Sequence, residues 1–107
     1  MKSSRTNYSR GRAFEYRIKK YFEELGYFVV RSAGSHSVAD LVAMRVGSRP
    51  VLVQCKSRGR VSGAEKEALL KVAMGCGADA ATALRKGRRV EIHVLREEDE
   101  GDVYNFT

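Results

Sequence analysis

Val38-Ala39-Asp40-Leu41-Val42-Ala43-Met44 and, six residues later, Val51-Leu52-Val53-Gln54-Cys55-Lys56 are apolar runs that carry polar or chargeable groups among the aliphatic ones. An unpaired charge in such a run is unfavourable unless something offsets it, so these groups mark a site rather than a filler. Between the runs, Val46-Gly47-Ser48-Arg49-Pro50 reads as a reversing turn. A hairpin about that turn opposes residues whose numbers sum to about 95, which sets Asp40 against positions 54 to 56. Gln54 and Lys56 share a face because side chains alternate with period two. A carboxylate, an amide oxygen and an ammonium then meet on one patch. That is the inventory of a metal-assisted phosphodiester hydrolase.

Working outward, Phe14, Ile18, Tyr21, Phe22 and Leu25 recur at helical spacing upstream. Ser9 is the expected N-cap of that helix and Gly26 its stop. Glu15 lies three and seven positions before Ile18 and Phe22, so it borders the buried face. The competing assignment is a surface glutamate paired with Lys19 one turn on. Tyr27 to Arg31 reads as a strand, and Ser32 to Val38 as a loop of small residues containing Ser35 and His36. Downstream, Ser57 to Val61 is a basic loop, and Ser62-Gly63-Ala64-Glu65 fits a capping box. The helix it opens carries Ala68, Leu69, Val72, Ala73 and Cys76 on one side and ends at Gly75 and Gly77. Ala78 to Leu84 is an alanine-rich strand, Lys86-Gly87-Arg88 a turn, and Val90, Ile92 and Val94 mark an alternating strand. The expected order is one helix, three strands, a helix and two strands, in an α/β fold.

At 107 residues the chain is expected to form a single domain over residues 1–107, with a basic arm at 1–8 and an acidic tail at 97–107 read as a frayed end. Its core is small enough that pairing with a second copy would add stability. No apolar run is long enough to span a membrane, and the first residues lack the apolar stretch of a signal peptide. Cys55 and Cys76 have no metal spacing; both read as buried free thiols, which suits a cytoplasmic location.

Charge is more selective. The net is +7, yet residues 96–107 hold five acids against one arginine, a net of −4, so residues 1–95 carry +11. Seven cations crowd the first twenty positions, among them Arg5, Arg10 and Arg12. Arg58 and Arg60 follow the Gln-x-Lys run, and Arg85, Lys86, Arg88 and Arg89 form a third cluster. Solvated surface charge explains the total but not the bunching, which favours a polyanion through phosphate contacts.

Asp40 followed by Gln54-x-Lys56 resembles the bipartite core of the PD-(D/E)xK nuclease superfamily. Gly11-Arg12-Ala13-Phe14-Glu15 on the first helix, Gly26-Tyr27-Phe28-Val29-Val30-Arg31-Ser32, and Ser35 shortly before Asp40 make the chain similar to the archaeal-type Holliday junction resolvases, including phage-encoded forms. The likeness runs from about residue 9 to about residue 95, most of the chain. It implies a restriction-endonuclease-like fold, a mixed β-sheet flanked by helices, and a homodimer that cuts opposed strands of a four-way DNA junction.

The same resemblance implies roles. Asp40 would be the principal ligand of Mg²⁺, for which Mn²⁺ would substitute, with Gln54, the main-chain carbonyl of Cys55 and, through water, Glu15 as further metal contacts. Lys56 would orient the attacking water and stabilise charge growing on the phosphorane. Arg31 and Ser35 match positions near the scissile phosphate. Arg5, Arg10, Arg12, Arg31, Arg58 and Arg60 would bind the DNA backbone. Gln54 departs from the acidic residue most of the superfamily has there; an amide oxygen can coordinate but carries no charge. Two other functions compete: a branched-DNA or repair nuclease, and a non-catalytic basic DNA-binding module of the same fold.

Overall fold

The computed structural model describes residues 7–32, 37–97 and 100–107. Arg5 and most of the expected basic arm lie outside them, as do Ser35 and His36. The chain forms α1 (Asn7–Glu24), β1 (Phe28–Arg31), β2 (Leu41–Met44), β3 (Val51–Lys56), α2 (Gly63–Cys76), β4 (Asp79–Lys86), β5 (Arg89–Leu95) and β6 (Glu100–Phe106). The six strands make one sheet in the order β1-β2-β3-β4-β5-β6. All neighbours are antiparallel except β3 and β4, which run parallel. A parallel pair needs a long crossover, and α2 supplies it.

The helices cover opposite faces, as the alternation along β3 and β4 shows. Val51, Val53 and Cys55, with Ala81 and Ala83, pack with Phe14, Ile18 and Phe22 of α1. Leu52 and Ala80 pack instead with Leu69 and Ala73 of α2. Burying an aliphatic side chain as fully as Ile18, Leu41 or Leu69 contributes about 1.5–3 kcal/mol each, which makes these contacts the main anchor of both helices. β4 is covered on both faces, so Ala80, Ala81, Thr82 and Ala83 are all buried; small residues let two helices approach one sheet. α2 packs against β3 and β4 and leaves Phe28, Val30 and Met44 of β1 and β2 exposed.

Several boundaries differ from expectation. α1 begins at Asn7, so Ser9 lies inside it rather than capping it. Gly75 stays within α2, and Gly77 ends it in the left-handed conformation at φ 70°. Cys76 is exposed rather than buried, one position before that stop.

The largest correction concerns the acidic tail. Residues 100–106 are not frayed; they form β6, a sixth strand on β5. Phe106 stacks on Tyr21 at 4.3 Å between ring centres, and Arg17 donates to the carbonyls of Arg88 (2.6 Å) and Thr107 (3.2 Å). Apolar side chains at alternate positions, Tyr104 and Phe106, face α1, while acids suit a strand whose other edge meets water.

Candidate active site

β2 begins one residue after Asp40, and the backbone there is pinned from both sides. Ser32 N–H donates to the Asp40 carbonyl and Asp40 N–H to the Val53 carbonyl, each at 2.8 Å. The pair Leu41 and Val53 sets the register, so opposed numbers sum to 94 and Asp40 falls against Gln54, within the expected window. Past Asp40 the β2 ladder ends, and the Cys55 N–H, which points to that side, is taken by Asp40 Oδ2 at 2.8 Å. In an extended strand N–H and C=O of one residue point the same way, so the Cys55 carbonyl is aimed at the same gap. Asp40 therefore substitutes for a missing strand carbonyl with one oxygen, and that bond does not engage the other.

Gln54 and Lys56 follow Leu52 onto the α2 face, and there they meet a residue whose second role the sequence did not reveal. Glu65 Oε1 accepts from Ser62 N–H at 2.9 Å, completing the expected capping box. Its Oε2 accepts from Lys56 Nζ at 3.3 Å and from Gln54 Nε2 at 3.4 Å. The Ser62 backbone N–H first, and then Lys56, hold the Glu65 carboxyl below its usual range. Gln54 Oε1 is buried with no hydrogen-bond partner; among the described residues the other such side-chain atom is Thr82 Oγ1, from the register partner of Gln54 on β4. A concavity of about 180 Å³ opens here, lined by Ser37, Val38, Gln54, Glu65 and Ala68. A larger hollow of about 640 Å³ lies along α2 by Lys71, Met74 and Glu97 and shares Ala68 with that concavity.

Glu15 and Arg31 sit on the other face. Arg31 Nε donates to Glu15 Oε1 at 2.8 Å, with the glutamate side chain only 19% exposed. The alternative pair Glu15–Lys19 does not form; Lys19 bonds Glu23 instead. Burial pushes the Cys55 thiol well up, and the charges of Asp40 and then Glu15 push it further. Both carboxylates thus act on the same side chain, which stays a neutral thiol. The structure brings Asp40, just before β2, together with Gln54, Cys55 and Lys56 of β3, and sets the Glu15–Arg31 pair across the sheet from Gln54 and Lys56.

Among the described residues no three His, Cys, Asp or Glu side chains group as a metal cage. The donors are instead one carboxylate, a main-chain carbonyl and an amide oxygen that is buried and unpartnered. This all-oxygen set fits a hard divalent cation that retains several waters.

The surroundings are cationic. Lys56 is level with Leu84, so Arg85 and Lys86 project from the same end of the sheet as Arg31 and Lys56. Arg10, Arg17 and Arg85 line one shallow concavity, joining clusters that lie far apart in sequence. Arg12, Arg58 and Arg60 are exposed, Arg12 on α1 and the other two in the connection that follows β3.

The fold is a mixed α/β sheet with a carboxylate held beside the Gln54–Lys56 segment. The family model described as archaeal Holliday junction resolvase (Hjc) matches residues 6–105, and the chain belongs to that family. The crossover junction endodeoxyribonuclease Hjc of Methanocaldococcus jannaschii is 39% identical over 56 residues, which are 52% of this chain. The match spans 41% of that relative's length. The solved structure of Archaeoglobus fulgidus Hjc, a Holliday junction resolvase from an archaeal hyperthermophile, superimposes with a TM-score of 0.69 at 25% identity, covering 92% of this chain and 84% of that one.

Proposed function

We propose that this chain is a Mg²⁺-dependent endodeoxyribonuclease that hydrolyses phosphodiester bonds in four-way DNA junctions, working as a homodimer in the cytoplasm. The observation that carries the reading is the Asp40 Oδ2 to Cys55 N–H bond at the end of β2. It holds a carboxylate beside the main chain that joins Gln54 to Lys56. Asp40, Gln54 Oε1 and the Cys55 carbonyl would hold the cation, which when bound supplies neutralisation of phosphoryl charge and activation of water.

The chain's own groups divide the remaining work. Lys56, restrained by Glu65, stabilises negative charge as it develops on the phosphoryl oxygens. Glu15 acts first as the anchor of Arg31, presenting the guanidinium to a phosphate, because its carboxylate is already engaged. The cations at this end of the sheet position the DNA backbone without reading sequence. Arg5 keeps its proposed DNA-binding role on the bunched charge of the first twenty residues, and Ser35 its phosphate-adjacent role on the resemblance. Domain organisation is proposed as one domain over residues 1–107.

A cleavage assay with Mg²⁺, comparing a four-way junction with duplex of the same arms, tests this reading. Paired cuts confined to the junction are expected. Equal cutting of other branched DNA would favour a repair nuclease. The non-catalytic reading is favoured by one observation, the neutral amide at Gln54, and junction binding without cleavage would establish it.

A further inference from the structure

We propose that Glu65 is a positioning residue for the candidate metal site: it fixes which end of the Gln54 amide is offered to a cation and holds Lys56 beside it. The proposal rests on the reading of Gln54 as a metal contact. A carboxylate accepts hydrogen bonds and does not donate them, so of the two ends of the Gln54 amide only Nε2 can face Glu65 Oε2. Oε1 is then turned the other way, where it lies buried and unpartnered. An acceptor left in that condition is unfavourable unless a donor or cation completes it.

A purely structural glutamine would give this oxygen to a neighbour. Thr82 is its register partner and carries a buried hydroxyl, yet that hydroxyl is unpaired too. Among the described residues, Glu65 is the hydrogen-bond partner that orients the amide.

Glu65 is suited to hold another side chain still. Its Oε1 is tied to the first turn of its own helix, so Oε2 projects from a fixed point rather than from a mobile side chain. Capping needs only Oε1. The second oxygen is surplus to the cap, and both of its contacts are to site residues. A concavity lined by Ser37, Val38, Gln54, Glu65 and Ala68 opens beside these groups.

The experiment measures Mn²⁺ binding to the DNA-free full chain, by the electron paramagnetic resonance signal of free Mn²⁺, alongside thermal unfolding. The variants are Gln54→Ala, Glu65→Ala, Glu65→Gln, Ser62→Ala and the double Gln54→Ala/Glu65→Ala. Glu65→Ala is expected to weaken Mn²⁺ binding by about tenfold or more, the scale for residues that orient metal ligands. Glu65→Gln should recover part of the loss, because its amide oxygen can still accept from Gln54. Ser62→Ala removes the cap and should lower the unfolding temperature, yet leave Mn²⁺ affinity close to that of the unaltered chain. The double variant should bind no more weakly than Gln54→Ala alone.

If Glu65→Ala loses no more affinity than Ser62→Ala while Gln54→Ala does, Glu65 is only a cap and the proposal is overturned, with the ligand reading intact. Additive losses in the double variant would overturn it as well, since Glu65 would then act independently of Gln54. If Gln54→Ala leaves Mn²⁺ binding unchanged, the ligand reading is what fails, and this proposal goes with it.

Discussion

Asp40 commits one of its two oxygens to the Cys55 N–H, and in the proposed chemistry the other serves the cation, a division that makes its role testable. Asparagine can still offer Oδ1 to the Cys55 N–H, so Asp40→Asn should fold and unfold much as the parent does. It loses the charge, however, and junction cleavage should fall by at least about 10²–10³, the scale for removing one charge-stabilising group. Lys56→Ala should match that loss while junction affinity stays within a few-fold, because one cation among many at this end contributes little to binding. Single-turnover cleavage and a band-shift titration measure the two quantities separately. Near-normal cutting by either variant would remove both residues from the proposed chemistry. Asp40, Gln54 and Lys56 were legible because chargeable groups stand out in apolar runs. Glu65 was legible only as a cap, since nothing in a linear pattern says where a second carboxylate oxygen points.

Among the elements, the hairpin, both helices and the β4–β5 pair could be read from periodicity and turn residues; β6 could not. Its acids mask the alternation of Tyr104 and Phe106, and the contacts that order it, with Tyr21 and Arg17, come from α1 more than eighty residues away. Gly101 is the vulnerable point of that strand. A Cβ there would collide with the Val94 carbonyl, beside the register shift between His93 and Leu95. Gly101→Ala should therefore destabilise the fold by about 1–3 kcal/mol in chemical denaturation, the range for a backbone clash. A stability equal to the parent's would mean that β6 adds little to the fold.

A second element-scale effect comes from β5, where His93 first, and then Arg89, hold the Glu91 carboxyl below its ordinary value of 4.5. A carboxyl depressed on folding adds stability that is present above the unfolded value and lost as pH falls through the lower folded one. Thermal unfolding of Glu91→Gln should accordingly show a shallower acid decline than the parent below about pH 4.5, with the two curves parallel above it. Parallel curves throughout would show that the carboxylate's surroundings do nothing for stability.

At the scale of the whole molecule, charge and symmetry set the remaining expectations. A four-way junction has paired strands to cut, and a two-fold dimer would place two equivalent sites on them. Sedimentation velocity at micromolar concentration should give a dimer; a monomer both with and without DNA would count against paired cutting. Binding itself should be governed by the cationic end of the sheet, since residues 1–95 carry +11 and the acids gather on the final segment. If the protein neutralises about six to ten phosphates, affinity should drop on the order of 10³–10⁵ between about 50 and 200 mM salt. Arg85→Ala and Lys86→Ala lie outside the proposed chemistry at the end of β4 and provide the internal control. Each should weaken binding to all junction sequences alike and reduce the salt slope by about one. A flat salt response would leave the bunched cations without a polyanion to bind, and the electrostatic argument for DNA would fall with it.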